Sequence, residues 1–154
     1  MKHLLIAFLS TLFLVGCSTY SEEEINGFDK EIQTYIAKNK LETTRSESGV
    51  YYTIIEEGEG KSIQFRDLVS FKYKGTLLDG KVVDEQLKKP VEYHVNELIG
   101  AWKEIMLMLK KGGKAFLIAP PTMGYGDHQL ADIPANSILV FELEVVDVKW
   151  DGGF

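Results

Sequence analysis

Two segments alternate apolar and polar side chains with a period of two, and this limits the fold more than any other feature. Val69, Phe71 and Tyr73 interleave with Ser70, Lys72 and Lys74, and Phe141, Leu143 and Val145 interleave with Glu142 and Glu144. Successive side chains of a strand point to opposite faces, so each segment predicts a strand with one buried and one wet face. Asp79-Gly80 lies between a Leu-rich run and Lys81-Val82-Val83-Asp84, the pattern of a tight turn joining antiparallel strands. A sheet buried on one face needs a second layer, and the short apolar run at 98–108 supplies a helix for it. The expected fold class is α+β, an antiparallel sheet with one short helix on one face.

Other segments fill in this plan. Residues 50–55 are rich in β-branched and aromatic side chains and predict a strand, as do 115–118 and 139–143. Residues 90–95 predict a further strand, with Pro90 at its first position or on an edge. Residues 41–49 read as polar and extended. Phe28, Ile32 and Ile36 recur every four residues with Tyr35 beside them, predicting an amphipathic helix that ends near Asn39. A lone helix this short is marginal in water, so it is expected to pack on its own domain. A monomer is expected, with dimerisation through this helix as the alternative.

The 154 residues and 45% hydrophobic content suit one core plus accessory segments. The net charge is −6, without the dense basic patch that would make nucleic acid a partner. Cys17, the one cysteine, cannot form an internal disulfide. It follows Lys2 and an apolar run at 4–15 broken only by Ser10 and Thr11. That run is short for a membrane span and fits an export signal. Leu14-Val15-Gly16-Cys17 resembles the bacterial lipobox, which implies cleavage before Cys17 and diacylglycerol modification of its thiol. Acyl chains contribute about 0.8 kcal/mol per buried methylene, so they would tether the protein to a membrane. Ser18 replaces the aspartate that retains some lipoproteins at the inner membrane. The expected location is the cell envelope, lipid-anchored in the outer membrane and facing the periplasm. The expected layout is a signal peptide at 1–16, an acidic tether at 17–27 and a helix with extended linker at 28–48. The main domain follows at 49–150, with a tail at 151–154.

Large apolar side chains gather between residues 98 and 141. Ile99 and Trp102 are three apart and would share a helix face. Phe141 points inward by its alternation, and Tyr125 sits between Gly124 and Gly126, where a loop can carry an aromatic into a cleft. Taken bare, the same residues also describe an ordinary core. His3 leaves with the export signal, and His94 and His128 lack the Cys or carboxylate spacing of a metal site; no metal or cofactor is expected. Met106 and Met108 read as core filler.

Residues from about 49 to 150 resemble an FKBP-type peptidyl-prolyl cis-trans isomerase domain. The stretches that carry the resemblance are 69–80 (VSFKYKGTLLDG), Leu98-Ile99 with Trp102, Tyr125-Gly126, Ile133-Pro134 and 139–143 (LVFEL). The resemblance implies a twisted antiparallel sheet wrapped around one short helix, with an aromatic-lined pocket between them. It also implies roles: Tyr73 as a wall, Asp84 as the pocket carboxylate, and Ile99 as a backbone N–H donor to a substrate carbonyl. Trp102 would be the floor, Tyr125 a hydroxyl donor to the substrate, and Ile133 and Phe141 the remaining walls. The implied activity is prolyl isomerisation that assists the folding of extracytoplasmic, proline-containing client proteins.

This sequence departs from the family where Val83 and Val91 stand in place of aromatic residues, and no arginine occurs in 85–89. Ala101 and Ile105 replace family glycines. Fewer aromatic walls leave a second expectation open: a chaperone that binds proline segments, or a subunit of an envelope complex, with weak or no catalysis. Short FKBP lipoproteins of this kind include some tied to gliding motility.

Overall fold

The computed structural model describes residues 20–151. Expectations for the signal segment, Cys17 and the last three residues lie outside them. The chain forms helix α1 (Glu22–Asn39), strands β1 (Thr44–Arg45), β2 (Tyr51–Glu56), β3 (Leu68–Leu77) and β4 (Val82–His94), helix α2 (Gly100–Met106), and strands β5 (Lys114–Ala119) and β6 (Leu139–Lys149). One six-stranded sheet in the order β1-β2-β5-β6-β3-β4 contains them all, and every pairing is antiparallel. The α+β expectation therefore stands.

β6 lies between β5 and β3, so its inward side chains sit at the centre of the inner face. There Phe71, Tyr73, Leu117, Phe141, Leu143 and Val145 pack against Ala101, Trp102, Ile105 and Met106 of α2. At the β3–β4 turn Leu77 N–H donates to Lys81 O at 2.9 Å, and Gly80 has φ +89°, a value that glycine adopts without a Cβ clash.

Four expectations need correction. Residues 22–27, read as acidic tether, are the start of α1. Ser21 and Glu24 form a reciprocal capping box: Glu24 N–H donates to Ser21 Oγ at 3.2 Å, and Ser21 N–H donates to Glu24 Oε2 at 2.8 Å. Glu22, Glu23 and Glu24 then lie in the first turn, where the helix dipole favours negative charge. An acidic run was thus a helix start rather than a solvated linker.

The two short strands expected at 81–84 and 90–95 are one strand, β4. Its register jumps from Val91, opposite Phe71, to Gln86, opposite Tyr73, so residues 87–90 bulge opposite Lys72 without leaving the edge. Pro90 is tolerated because β4 is an edge strand. The extended linker at 41–49 contains β1, which pairs with Tyr51 and Tyr52. Met106 is core, but Met108 is 38% exposed.

The outer face of the sheet is also partly apolar. Ile32 of α1 packs with Tyr51, Ile118, Ile138 and Val140, with Phe28 and Ile36 at the margin. Alternation alone assigns one wet face, and α1 covers the exceptions to it. Beyond α1 this face carries an open groove of about 500 Å³, where Leu41, Ile55, Leu87 and Phe116 lie among lysines and glutamates. No helix among the described residues is long and apolar enough to cross a membrane.

Candidate active site

Trp102 is the centre of an aromatic cluster. It lies on the first turn of α2 and is 8% exposed. Phe71 and Phe141 meet it edge-on, with ring centroids at 5.4 and 5.0 Å, and Tyr73 packs at 4.8 Å. Such pairs contribute about 0.5–1.5 kcal/mol each beyond area burial, so the rings hold one another in place. Trp102 Nε1 is buried with no hydrogen-bond partner among the described residues. Buried donors of this kind are rare, and each calls for an explanation.

Tyr73 and Phe71 share the inner face of β3 because they are two residues apart. The Tyr73 hydroxyl donates to Asp84 Oδ2 at 2.5 Å, across the β3–β4 pairing in which Asp84 faces Gly75. Burial raises the Tyr73 phenol pKa well above its ordinary value. The bond to Asp84, the charge of Asp84 and the nearby Tyr125 and Tyr93 phenols add to the shift. Tyr73 is therefore a neutral donor that holds the Asp84 carboxylate at the strand edge. Burial and the charge of Asp84 raise Tyr125 in the same direction.

Gly75 faces Phe141 in the β3–β6 register. A Cβ at Gly75 would lie 2.7 Å from Phe141 Cε1 and 3.0 Å from Cδ1. The glycine is what lets the Phe141 ring lie over β3 and reach Trp102.

Ile99 is not on the helix as expected but is its N-cap, with extended backbone (φ −63°, ψ 157°). Its carbonyl accepts from Lys103 N–H at 3.0 Å, and among the described residues its own N–H donates to no group of the chain. Helix starts leave such donors free. Tyr125 follows the 3₁₀ turn Pro121–Met123. It is half-buried against the core cluster, and the side-chain hydrogen bond to Asp84 comes from Tyr73 rather than from the Tyr125 hydroxyl. Ile133 is buried on the same cluster.

The structure thus brings six of the seven expected site residues into one cluster, with Asp84 joined to it through Tyr73. Two aromatic neighbours were not among the expected residues. Phe71 meets Trp102 directly, and Tyr93, 48% exposed, lies 6.4 Å from Phe71. The alternation in β3 could have identified Phe71. Tyr93 needed the register, which pairs it with Val69. Val83 and Val91, where the family carries rings, pack half-buried at the margin of the cluster. No group of three or more metal-ligating side chains occurs among the described residues.

A short helix packed on an antiparallel sheet, with a tryptophan on its first turn and a ring of aromatics around it, is the arrangement that the resemblance to FKBP-type domains implies. The chain belongs to the FKBP-type peptidyl-prolyl cis-trans isomerase family, whose sequence model matches residues 59–146. It is 39% identical over 122 residues to FkpA, an FKBP-type peptidyl-prolyl cis-trans isomerase of Escherichia coli strain K12, covering 78% of this chain and 45% of that protein. It is 37% identical over 143 residues to a probable FKBP-type peptidyl-prolyl cis-trans isomerase of Haemophilus influenzae, covering 88% and 59%. The crystal structure of FkpA from Escherichia coli superposes with a TM-score of 0.72 at 35% identity, covering 83% of this chain and 62% of that one. The chain spans about half the length of the curated relatives it matches.

Proposed function

We propose that this chain is a peptidyl-prolyl cis-trans isomerase that acts on proline-containing segments of proteins outside the cytoplasm. The observation that carries the reading is the Trp102 cluster with donors beside it: the Tyr125 hydroxyl and the Ile99 N–H. Rotation about an X-Pro bond faces a barrier of about 20 kcal/mol, set by amide resonance. No covalent bond is made or broken, so the protein's task is to bind the twisted amide better than either planar form.

In this reading Trp102 is the floor on which the pyrrolidine ring rests, and Tyr73, Phe141 and Ile133 are the walls. An apolar enclosure removes the water hydrogen bonds that favour the planar, charge-separated amide. Tyr125 Oη and Ile99 N–H orient the flanking substrate carbonyls. Asp84, held by Tyr73, keeps the strand edge in place and supplies a carboxylate beside the site. Lipid on Cys17 would confine this activity to the envelope, at the outer membrane facing the periplasm.

Isomerase turnover of the Cys17→Ser chain on a panel of X-Pro tetrapeptides tests the reading. Trp102→Leu and Tyr125→Phe should each lower kcat/KM, by about tenfold and about fivefold, from lost ring contacts and one lost hydrogen bond. Equal rates for folded variants and wild type would sink the site assignment. Val83 and Val91 support a second reading, since two missing rings loosen the grip on a proline. There the chain holds proline segments as a chaperone, or serves in an envelope complex of the gliding type, without accelerating them. A refolding client decides: less aggregation with no faster proline-limited phase favours holding.

A further inference from the structure

Tyr20 lies outside the segment matched by the family model, in a stretch whose sequence reads as polar linker. It is nevertheless 8% exposed. Its ring meets Phe28 of α1 edge-on at 5.3 Å. Its hydroxyl donates to Asn136 Oδ1 at 2.7 Å, across 116 residues. Asn136 N–H donates in turn to Gly126 O at 2.8 Å, and Gly126 N–H donates to Pro121 O at 3.0 Å. Asn136 and Gly126 both hold left-handed backbone, with φ of 61° and 66°.

These contacts converge on the loop that carries Tyr125 and Ile133. Its other hydrogen bonds are local: His128 N–H to Tyr125 O, Leu130 N–H to Ile133 O, and Ser137 Oγ to Pro134 O. Among the described residues, Tyr20 is the one side chain from outside 120–138 that hydrogen-bonds this loop. Ile133 and Ile138 anchor the loop by apolar burial, and the Tyr20 bond adds the one directional side-chain tie from outside that bears on its backbone.

We propose that Tyr20 is a positioning residue for the pocket: from the N-terminal side of α1 it latches the Asn136–Gly126 bridge and so sets where Tyr125 and Ile133 stand. The inference rests on the reading of those two residues as pocket members. It makes the site depend on a segment outside the family domain, and couples whatever holds that segment to the pocket rim.

The test uses the full chain carrying Cys17→Ser, with Tyr20→Phe, Asn136→Gly and both together. Tyr20→Phe keeps the ring against Phe28 and removes only the hydroxyl. Asn136→Gly removes the carboxamide and keeps a residue suited to positive φ. In Tyr20→Phe, amide exchange at Asn136 should rise about fivefold, the equilibrium weight of one net hydrogen bond, with Leu143 in β6 unchanged. The kcat/KM on an X-Pro tetrapeptide should fall severalfold in each single variant and no further in the double variant.

Unchanged exchange at Asn136 overturns the latch. Faster exchange with wild-type kcat/KM overturns the positioning role. If the wild type is inactive, the isomerase reading fails separately, and peptide affinity replaces turnover. Weaker binding by Tyr20→Phe then supports positioning, and equal binding overturns it. A wild type that neither turns over nor binds the peptide removes the pocket reading and the positioning role with it.

Discussion

Gly75→Ala should damage the protein although alanine suits a strand better than glycine does. Two effects oppose each other. Replacing glycine restricts the unfolded chain and stabilises by about 0.4–1 kcal/mol where the native backbone permits it, and Gly75 does not occupy positive φ. Against this, the new Cβ would stand 2.7 Å from Phe141 Cε1, a separation that real Cβ contacts do not show. Phe141 is 3% exposed and its ring is held by Trp102 at 5.0 Å, so it has little room to yield. Overpacking of this kind costs about 1–3 kcal/mol. Overpacking wins, and the net loss should be about 1–2 kcal/mol, or a fall of roughly 3–6 °C in Tm for a domain of this size. Because the displaced ring borders Trp102, kcat/KM should fall as well. Denaturant unfolding and peptide isomerisation measure both. The decisive comparison repeats Gly75→Ala in a Phe141→Leu background, where there is no ring to strike. There it should be neutral or stabilising. An equal cost in the two backgrounds would refute the argument that the glycine exists to admit the Phe141 ring.

Two further predictions concern buried polar groups. The Tyr73 phenol is raised from 10.0 in the fold, so its neutral form is favoured there. The stability it contributes is fully present below pH 10 and is lost as pH rises toward the folded value. Tyr73→Phe should therefore flatten the alkaline decline in stability, measured as the difference in Tm between variant and wild type from pH 9 to 11; parallel curves would count against it. Asp67 is 1% exposed and accepts from Gln64 N–H at 2.7 Å and Asp151 N–H at 2.8 Å. Asp67→Ala should cost about 1–3 kcal/mol by leaving both donors unpaired, read from denaturant midpoints, with kcat/KM of the folded fraction unchanged.

Most of the sheet could be read from the order of residues. Alternation in β3 and β6 is a local property, so Phe71, Tyr73, Phe141 and Leu143 could be assigned to the inner face before any pairing was known. Asp79-Gly80 marked its own turn for the same reason. The acidic run at 22–24 is ambiguous by composition, which a capping box and a solvated tether share. Ser21 followed by Glu24 three residues later was the signal that separates them. The bulge at 87–90 has no local signal, because the register of a strand is set by its neighbour rather than by its own residues.

The site divides along the same line. Residue type and spacing alone determined which side chains were available: a tryptophan on a helix start, tyrosines on a strand and in a Gly-flanked loop, a carboxylate after a hairpin. Only the tertiary structure decided that they meet. Placing β6 between β5 and β3 puts Phe141 over Gly75 and against Trp102. Folding α1 onto the outer face brings Tyr20 to Asn136, 116 residues away. Neither contact has a local signature, because propensity and periodicity act over a few residues. The distances between rings and hydroxyls depend on strand order and on which faces the helices cover.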